Sequence, residues 1–170
     1  MREIFRMSWD GSTPWSERVL GAIPYLLPLM DALVYGDGRY ILRQFPFVSF
    51  GLLPILPVLQ VYTQFMRLMP FAGLILFMGL FFAVVRNEKI SRFIRFNVLQ
   101  AILLDLVLMV CNLILPIISR GFQLDLLTET LFNTVFLGIF ATFVYSVFKS
   151  GRGQYAEIPA ISDAVYMQLR

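Results

Sequence analysis

Between Arg95 and Arg120 the chain carries a single formal charge, Asp105, set in an otherwise uncharged run over residues 96–119. At 1.5 Å rise per residue, about 20 apolar residues cross a hydrocarbon core of about 30 Å. Residues 91–116 (SRFIRFNVLQAILLDLVLMVCNLILP) are therefore predicted to form a transmembrane helix that opens on Arg92 and Arg95. A carboxylate at mid-depth costs roughly 2.5–3.5 kcal/mol on insertion scales, so Asp105 is expected to face protein or water and not lipid. At 100° per residue, Asn97, Gln100, Asp105 and Asn112 fall within an arc of about 140°, while the opposite arc holds only Leu, Ile, Val and Phe. This stripe reads in two ways: as a packing seam in which polar side chains bond neighbouring helices, or as one wall of a hydrated path. Interhelical hydrogen bonds average below ~1 kcal/mol in membranes, so stability alone is a weak reason for an Asp there.

Composition places the whole chain in the same class. It is 58% hydrophobic and 15% charged, with a mean hydropathy of +0.74, against roughly 25% charged for soluble domains. Its length suits one domain. The basic residues sit at segment ends and do not cluster on one face, which gives nucleic-acid binding no support. Histidine is absent, which removes the commonest general base and metal ligand. No two carboxylates stand at helical spacing within the expected spans, and no serine sits in a nucleophile-elbow motif, so an enzyme is not expected, nor a cofactor or metal. The one cysteine, Cys111, lies in the apolar run and reads as an inert buried thiol.

The expected fold is all-α: a polytopic membrane protein with four transmembrane helices. A polar N-terminal segment, 1–18, precedes a transmembrane domain, 19–148, and a tail, 149–170. Thr13 and Pro14 read as the N-cap and first position of a helix, and Trp9 and Trp15 suit the headgroup level. The first span, 19–35, contains Pro24, Pro28 and, near its exit, Asp31; prolines are tolerated inside membrane helices. A turn follows at 36–39. Residues 44–66 are uncharged but hold Pro46, Pro54 and Pro57, so they read as an interfacial or re-entrant segment and not as a full span. The second span covers about 68–86, starting at Pro70, and residues 86–89 make a hinge. The third span covers 94–117 and ends at Pro116 and Gly121. Residues 123–130 form a polar connector to the last span, 131–148, whose Thr134, Gly138, Ala141, Thr142 and Tyr145 read as a small-residue packing face. In the tail, Ser162 could cap a short helix bearing Val165, Tyr166 and Leu169.

Four spans divide the fourteen basic residues ten to four. Arg2, Arg6, Arg18, Arg86, Lys89, Arg92, Arg95, Lys149, Arg152 and Arg170 share one side; Arg39, Arg43, Arg67 and Arg120 share the other. The positive-inside rule puts both termini on the cytoplasmic side or its organellar equivalent, with Arg86, Lys89, Arg92 and Arg95 at the membrane surface. A fifth span over 44–66 weakens the division to nine against five.

Three stretches resemble a known family. Residues 90–105 (ISRFIRFNVLQAILLD), residues 23–31 (IPYLLPLMD) followed by Tyr35-Gly36, and residues 157–166 (EIPAISDAVY) are similar to the twenty-kilodalton subunit family of the TIC translocon of the chloroplast inner envelope. The resemblance covers about residues 15–168. It implies four membrane helices, both termini stromal or cytoplasmic, no cofactor and no catalytic residue. The motif positions it carries over are Asp31, Arg92, Arg95, Asn97, Gln100 and Asp105. Plant members begin with a long transit sequence, whereas residues 1–18 are too short and too acidic for one. That points to a cyanobacterial or plastid-encoded member, in a cyanobacterial plasma or thylakoid membrane or a plastid inner envelope.

The expected function is a membrane-embedded translocon subunit, channel or scaffold. Its partners would be the lipid bilayer, other translocon membrane subunits and the translocating polypeptide. Four spans enclose little space, so a pore needs those partners or a homo-oligomer. The alternative is a small-solute or ion channel or transporter subunit, for which intramembrane Asp31 and Asp105 and interrupted helices speak.

Overall fold

The computed structural model describes residues 13–34, 50–69, 71–122, 125–159 and 161–169, which are mostly helical, with residues 154–158 irregular and no strand among those described. The expectations for Trp9, for the turn at 36–39 and for the start of the proline-rich segment, with Pro46, fall outside these residues.

The first helical rod is built around its prolines. Helix α1 (Trp15–Ala22) passes through a 3-10 turn (Ile23–Tyr25) into α2 (Leu26–Val34). Pro24 occupies the start of the 3-10 turn, and Pro28 lies in the first turn of α2, where a missing N–H costs least. The helix restarts around each proline, and the eight, three and nine residues of the rod rise roughly 30 Å if helical throughout. Its beginning differs from expectation: Pro14 is the extended N-cap residue of α1, not its first helical residue, and no side chain caps it. Thr13 instead donates its hydroxyl to Gly153 O, 3.3 Å away.

The same proline logic shapes the next unit. A 3-10 turn (Leu53–Ile55) holding Pro54 leads into α3 (Leu56–Leu68), with Pro57 in its first turn. Phe71 then takes a left-handed conformation, φ 60°, and the chain bends by 113° between residues 50–68 and α4 (Ala72–Leu80). Helix α4 runs on as a π-helical turn (Phe81–Val85), with Arg86 N–H bonded back to Phe81 O. The second apolar stretch is thus shorter than the expected 68–86. Leu68 ends α3, and the nine α-helical and five π-helical residues of α4 rise only roughly 20 Å.

Two long helices follow. Helix α5 (Arg92–Phe122) runs straight through Pro116, where a halt was expected, and α6 (Asp125–Gly151) already includes residues 125–130, read above as a connector. The apolar surroundings explain both: a proline inside a membrane helix is tolerated, and helical continuation satisfies backbone amides that no water can reach. Helix α7 (Ile161–Gln168) closes the described chain. Parts of α5 and α6, Arg92–Ile118 and Leu126–Gly151, are each long and apolar enough to cross a membrane; the bent pair of α3 and α4 makes a third such unit.

Helix α5 is the hub. Around it pack α1, α2, the π turn, α6 and α7. One cluster joins Val85, Phe96, Val98, Leu99 and Ile102 to Val165 of α7; another joins Ala32, Leu108, Phe136 and Ile139. The approach of α1 is close: a Cβ on Gly21 would stand 2.6 Å from Phe93 Cε1. The buried face of α6 is bulky at Phe132, Phe136 and Ile139 and small at Ser146 and Ser150, whereas Thr134, Gly138, Ala141 and Tyr145 are exposed. Of that stripe, Thr142 is half-buried and Tyr145 donates to Glu157 O at 3.3 Å, while a Cβ on Gly138 would meet nothing within 4 Å among the described residues.

Candidate functional site

The polar stripe of α5 meets two different environments. At the Arg92 end, Asn97 and Gln100 are fully buried. Tyr25, in the 3-10 turn, donates to Asn97 Oδ1 at 2.9 Å and accepts from Gln100 Nε2 at 2.8 Å. Gln100 Nε2 also donates to Ala156 O at 2.6 Å, and Gln100 Oε1 accepts the Ser162 hydroxyl at 2.7 Å. Asn97 Nδ2 donates to Phe93 O, and Asn97 Oδ1 accepts a second bond from Ser150 of α6 at 3.2 Å. Ser162 accepts the Ile158 N–H at 2.7 Å. Ser162 thus does not cap α7 but stands between the tail backbone and Gln100. Both Gln100 amide protons and the Tyr25 hydroxyl proton are used, and a network satisfied in this way fixes one arrangement of the helices that share it.

The tail lies over this layer. Tyr155 meets Phe93 and Phe96 edge-on, with ring centroids 5.3 and 4.7 Å apart, and the Tyr166 ring lies tilted by 42° against Phe96 at 5.0 Å. Val165 and Ala156 are fully buried. Burial raises the pKa of both tail tyrosines; for Tyr166 the nearby Glu157 carboxylate, whose Oε1 accepts its hydroxyl, raises it further.

Deeper along the stripe the chemistry changes. Asp31 of α2 is buried and its carboxyl stands against that of Asp105, which is half-buried on α5. Tyr62, buried on α3, donates to Asp31 Oδ1. Asp105 Oδ1 is buried with no donor among the described residues. Three elements thus converge on two carboxyls with one phenol donor. Asn112, half-buried, lies seven residues beyond Asp105, roughly 10 Å along the axis. The opposite arc of α5, with Leu106, Val107, Met109, Val110, Leu113, Ile114 and Ile117, is exposed, as a lipid-facing surface is.

The basic group is split. Arg86 and Lys89 are exposed in the turn before α5; Arg92 and Arg95 are half-buried. Arg95 Nε donates to Val85 O at 2.8 Å, closing the end of the π turn. Sequence reasoning did not single out Tyr25, Tyr62 or Ser150 as partners of the stripe. The two tyrosines carried a signal, since a phenol in an apolar stretch needs a partner for its hydroxyl when buried. Ser150, at a helix end before glycine, carried none.

Comparison with known proteins bears on the same residues. The family model described as "Chloroplast import apparatus Tic20-like" matches residues 5–165. A "Tic20 family protein" of Synechocystis sp. is 45% identical over 165 residues, covering 96% of this chain and 99% of the relative. "Protein TIC 20-II, chloroplastic" of Arabidopsis thaliana is 36% identical over 160 residues, 92% of this chain and 74% of the relative. "Tic20 family protein Ycf60" of Porphyra purpurea is 33% identical over 165 residues, 94% of this chain and 79% of the relative.

Proposed function

Because the chain belongs to the Tic20-like family of the chloroplast import apparatus, an integral membrane family, we propose that it is a non-catalytic membrane subunit of a polypeptide translocon. The proposed topology has four spans: the α1–α2 rod, the bent unit of α3 and α4, α5 and α6. Both termini are then cytoplasmic or stromal. In support, Thr13 bonds to Gly153, so the start of α1 and the end of α6 share one end of the bundle. Reporters fused to the two termini should read the same side; opposite sides would overturn the topology.

The observation that carries the functional reading is the Asp31–Asp105 pair. Two carboxyls set against each other between helices of the membrane domain are costly in hydrocarbon, and a packing seam would be served as well by amides. Asn97 and Gln100 then serve as the sealed packing part of the stripe, and Asp105 as its wet part. A layer filled by Tyr25, Asn97, Gln100, Ser150 and Ser162 leaves no passage through that end of one chain. The polypeptide path therefore runs along the edge of this subunit, completed by other translocon membrane subunits or a second copy. A photo-crosslinker at position 105 should capture an arrested translocating chain, and one at lipid-facing Val110 should not. Capture of lipid alone at both positions would overturn the reading. The carboxyl pair also favours the ion or small-solute channel alternative, for which liposome flux lost in Asp105→Asn, with polypeptide capture absent, is the deciding result.

A further inference from the structure

At the Thr13 end of the bundle, α1 and α6 part to leave an apolar groove of about 320 Å³. Val19, Ala22, Ile23, Leu26, Phe143 and Val147 form its walls, and Trp15, Arg18 and Gly151 its mouth. The volume falls in the range of small-molecule sites, yet the walls offer no polar group deep inside to orient a polar ligand. Such a lining suits a hydrocarbon chain. The mouth has the opposite character. Arg18 lays its stem along the groove and spends its Nε on Thr13 O at 2.9 Å. Lys149 and Arg152, at the end of α6, do not line the groove: Lys149 bonds Gln154 and lies over the Tyr145 ring, and Arg152 lies over Phe148, so Arg18 is the cation at the mouth among the described residues. Among the described residues, no carboxylate lines the groove. Trp15, 73% exposed, stands at the same level, where indole rings favour the headgroup region.

We propose that this groove binds one anionic membrane lipid, with an acyl chain between α1 and α6 and its negatively charged headgroup at Arg18. A neutral lipid would fill the walls as well but would leave Arg18 without a counter-charge. The selectivity therefore lies in the headgroup, at roughly fivefold per engaged cation near an anionic surface. This site is separate from the carboxyl pair and does not depend on translocon activity; it requires only that the protein sits in a bilayer.

The chain has two tryptophans, so Trp9→Phe leaves Trp15 as a sole fluorophore at the groove mouth. The variant, in nanodiscs of zwitterionic lipid, is titrated with chain-brominated anionic lipid or, separately, chain-brominated zwitterionic lipid. Half-quenching of Trp15 is expected at a roughly fivefold lower mole fraction of the anionic lipid. Adding Arg18→Gln should abolish that difference, adding Arg18→Lys should keep it, and adding Val147→Phe, which fills the groove, should reduce quenching by both lipids. Equal quenching by the two lipids before any groove change would overturn the proposal. So would a preference that survives Arg18→Gln, or a Trp15 that neither lipid quenches because protein covers the groove.

Discussion

The Ser162 hydroxyl donates to Gln100 Oε1 at 2.7 Å, across sixty-two residues of sequence, and ties α7 into the polar layer of α5. Replacing Gln100 with Leu keeps the volume but leaves Ala156 O and the Ser162 hydroxyl without their partner. A buried group left unpaired costs about 1–3 kcal/mol. Gln100→Leu should therefore loosen the tail selectively, measured as faster limited proteolysis within residues 149–160 at unchanged helix content. Equal proteolysis of variant and parent would show that the aromatic contacts of Tyr155 and Tyr166 hold the tail unaided.

Tyr62 is the donor that links α3 to Asp31. Tyr62→Phe removes the hydroxyl and nothing else, leaving a buried carboxyl oxygen without that bond. Amide hydrogen exchange in α3 should rise in Tyr62→Phe. It should stay near the parent in Asp31→Asn, whose amide oxygen can accept the same bond. If Asp31→Asn frees α3 as much as Tyr62→Phe does, the charge on Asp31 and not its geometry holds the helix.

Gly21 and Gly138 make a matched contrast. A side chain at Gly21 runs into the Phe93 ring, itself held by Tyr155, whereas a Cβ at Gly138 meets nothing within 4 Å. Overpacking costs typically about 1–3 kcal/mol. Gly21→Ala should lower the thermal midpoint in detergent, and Gly138→Ala should leave it unchanged or raise it. A drop in Gly138→Ala, seen only in assembled material, would reveal that the small-residue face of α6 packs against another chain.

The tail tyrosines give a pH signature. Burial raises the pKa of Tyr155 and Tyr166 above the ordinary phenol value near 10. A raised pKa means that the folded tail holds protons which the unfolded tail has released. Their contribution is thus fully present below pH ~10 and is lost as pH rises from there through the folded pKa. Near-ultraviolet phenolate absorbance should show these two titrating later than exposed tyrosines. Early titration in Val165→Asp, which should undock α7, would place the cause in the docking.

The membrane class, the long helix after Arg92 and the polar arc with its lone Asp105 were all legible in the sequence, because each is a local or periodic property of the chain. So was the family, read from three stretches of the chain and matched over residues 5–165. Helix ends were less legible. Pro116 and the polar residues 125–130 look like stops by soluble-protein rules, but a bilayer rewards continued helix. The 113° bend at Phe71 depends on one left-handed residue that carries no sequence signature.

What the sequence determined by itself is which residues must avoid lipid: Asp31, Asn97, Gln100 and Asp105, since desolvation penalises each wherever the chain goes. Only the tertiary structure decided what each of them meets. Tyr25, Ser150 and Ser162 are brought to Asn97 and Gln100 from three other elements, while α2 brings Asp31 to Asp105 and α3 brings Tyr62 to Asp31. A helical period fixes the face on which a side chain lies, but its partners come from distant segments whose arrival depends on how the whole bundle packs.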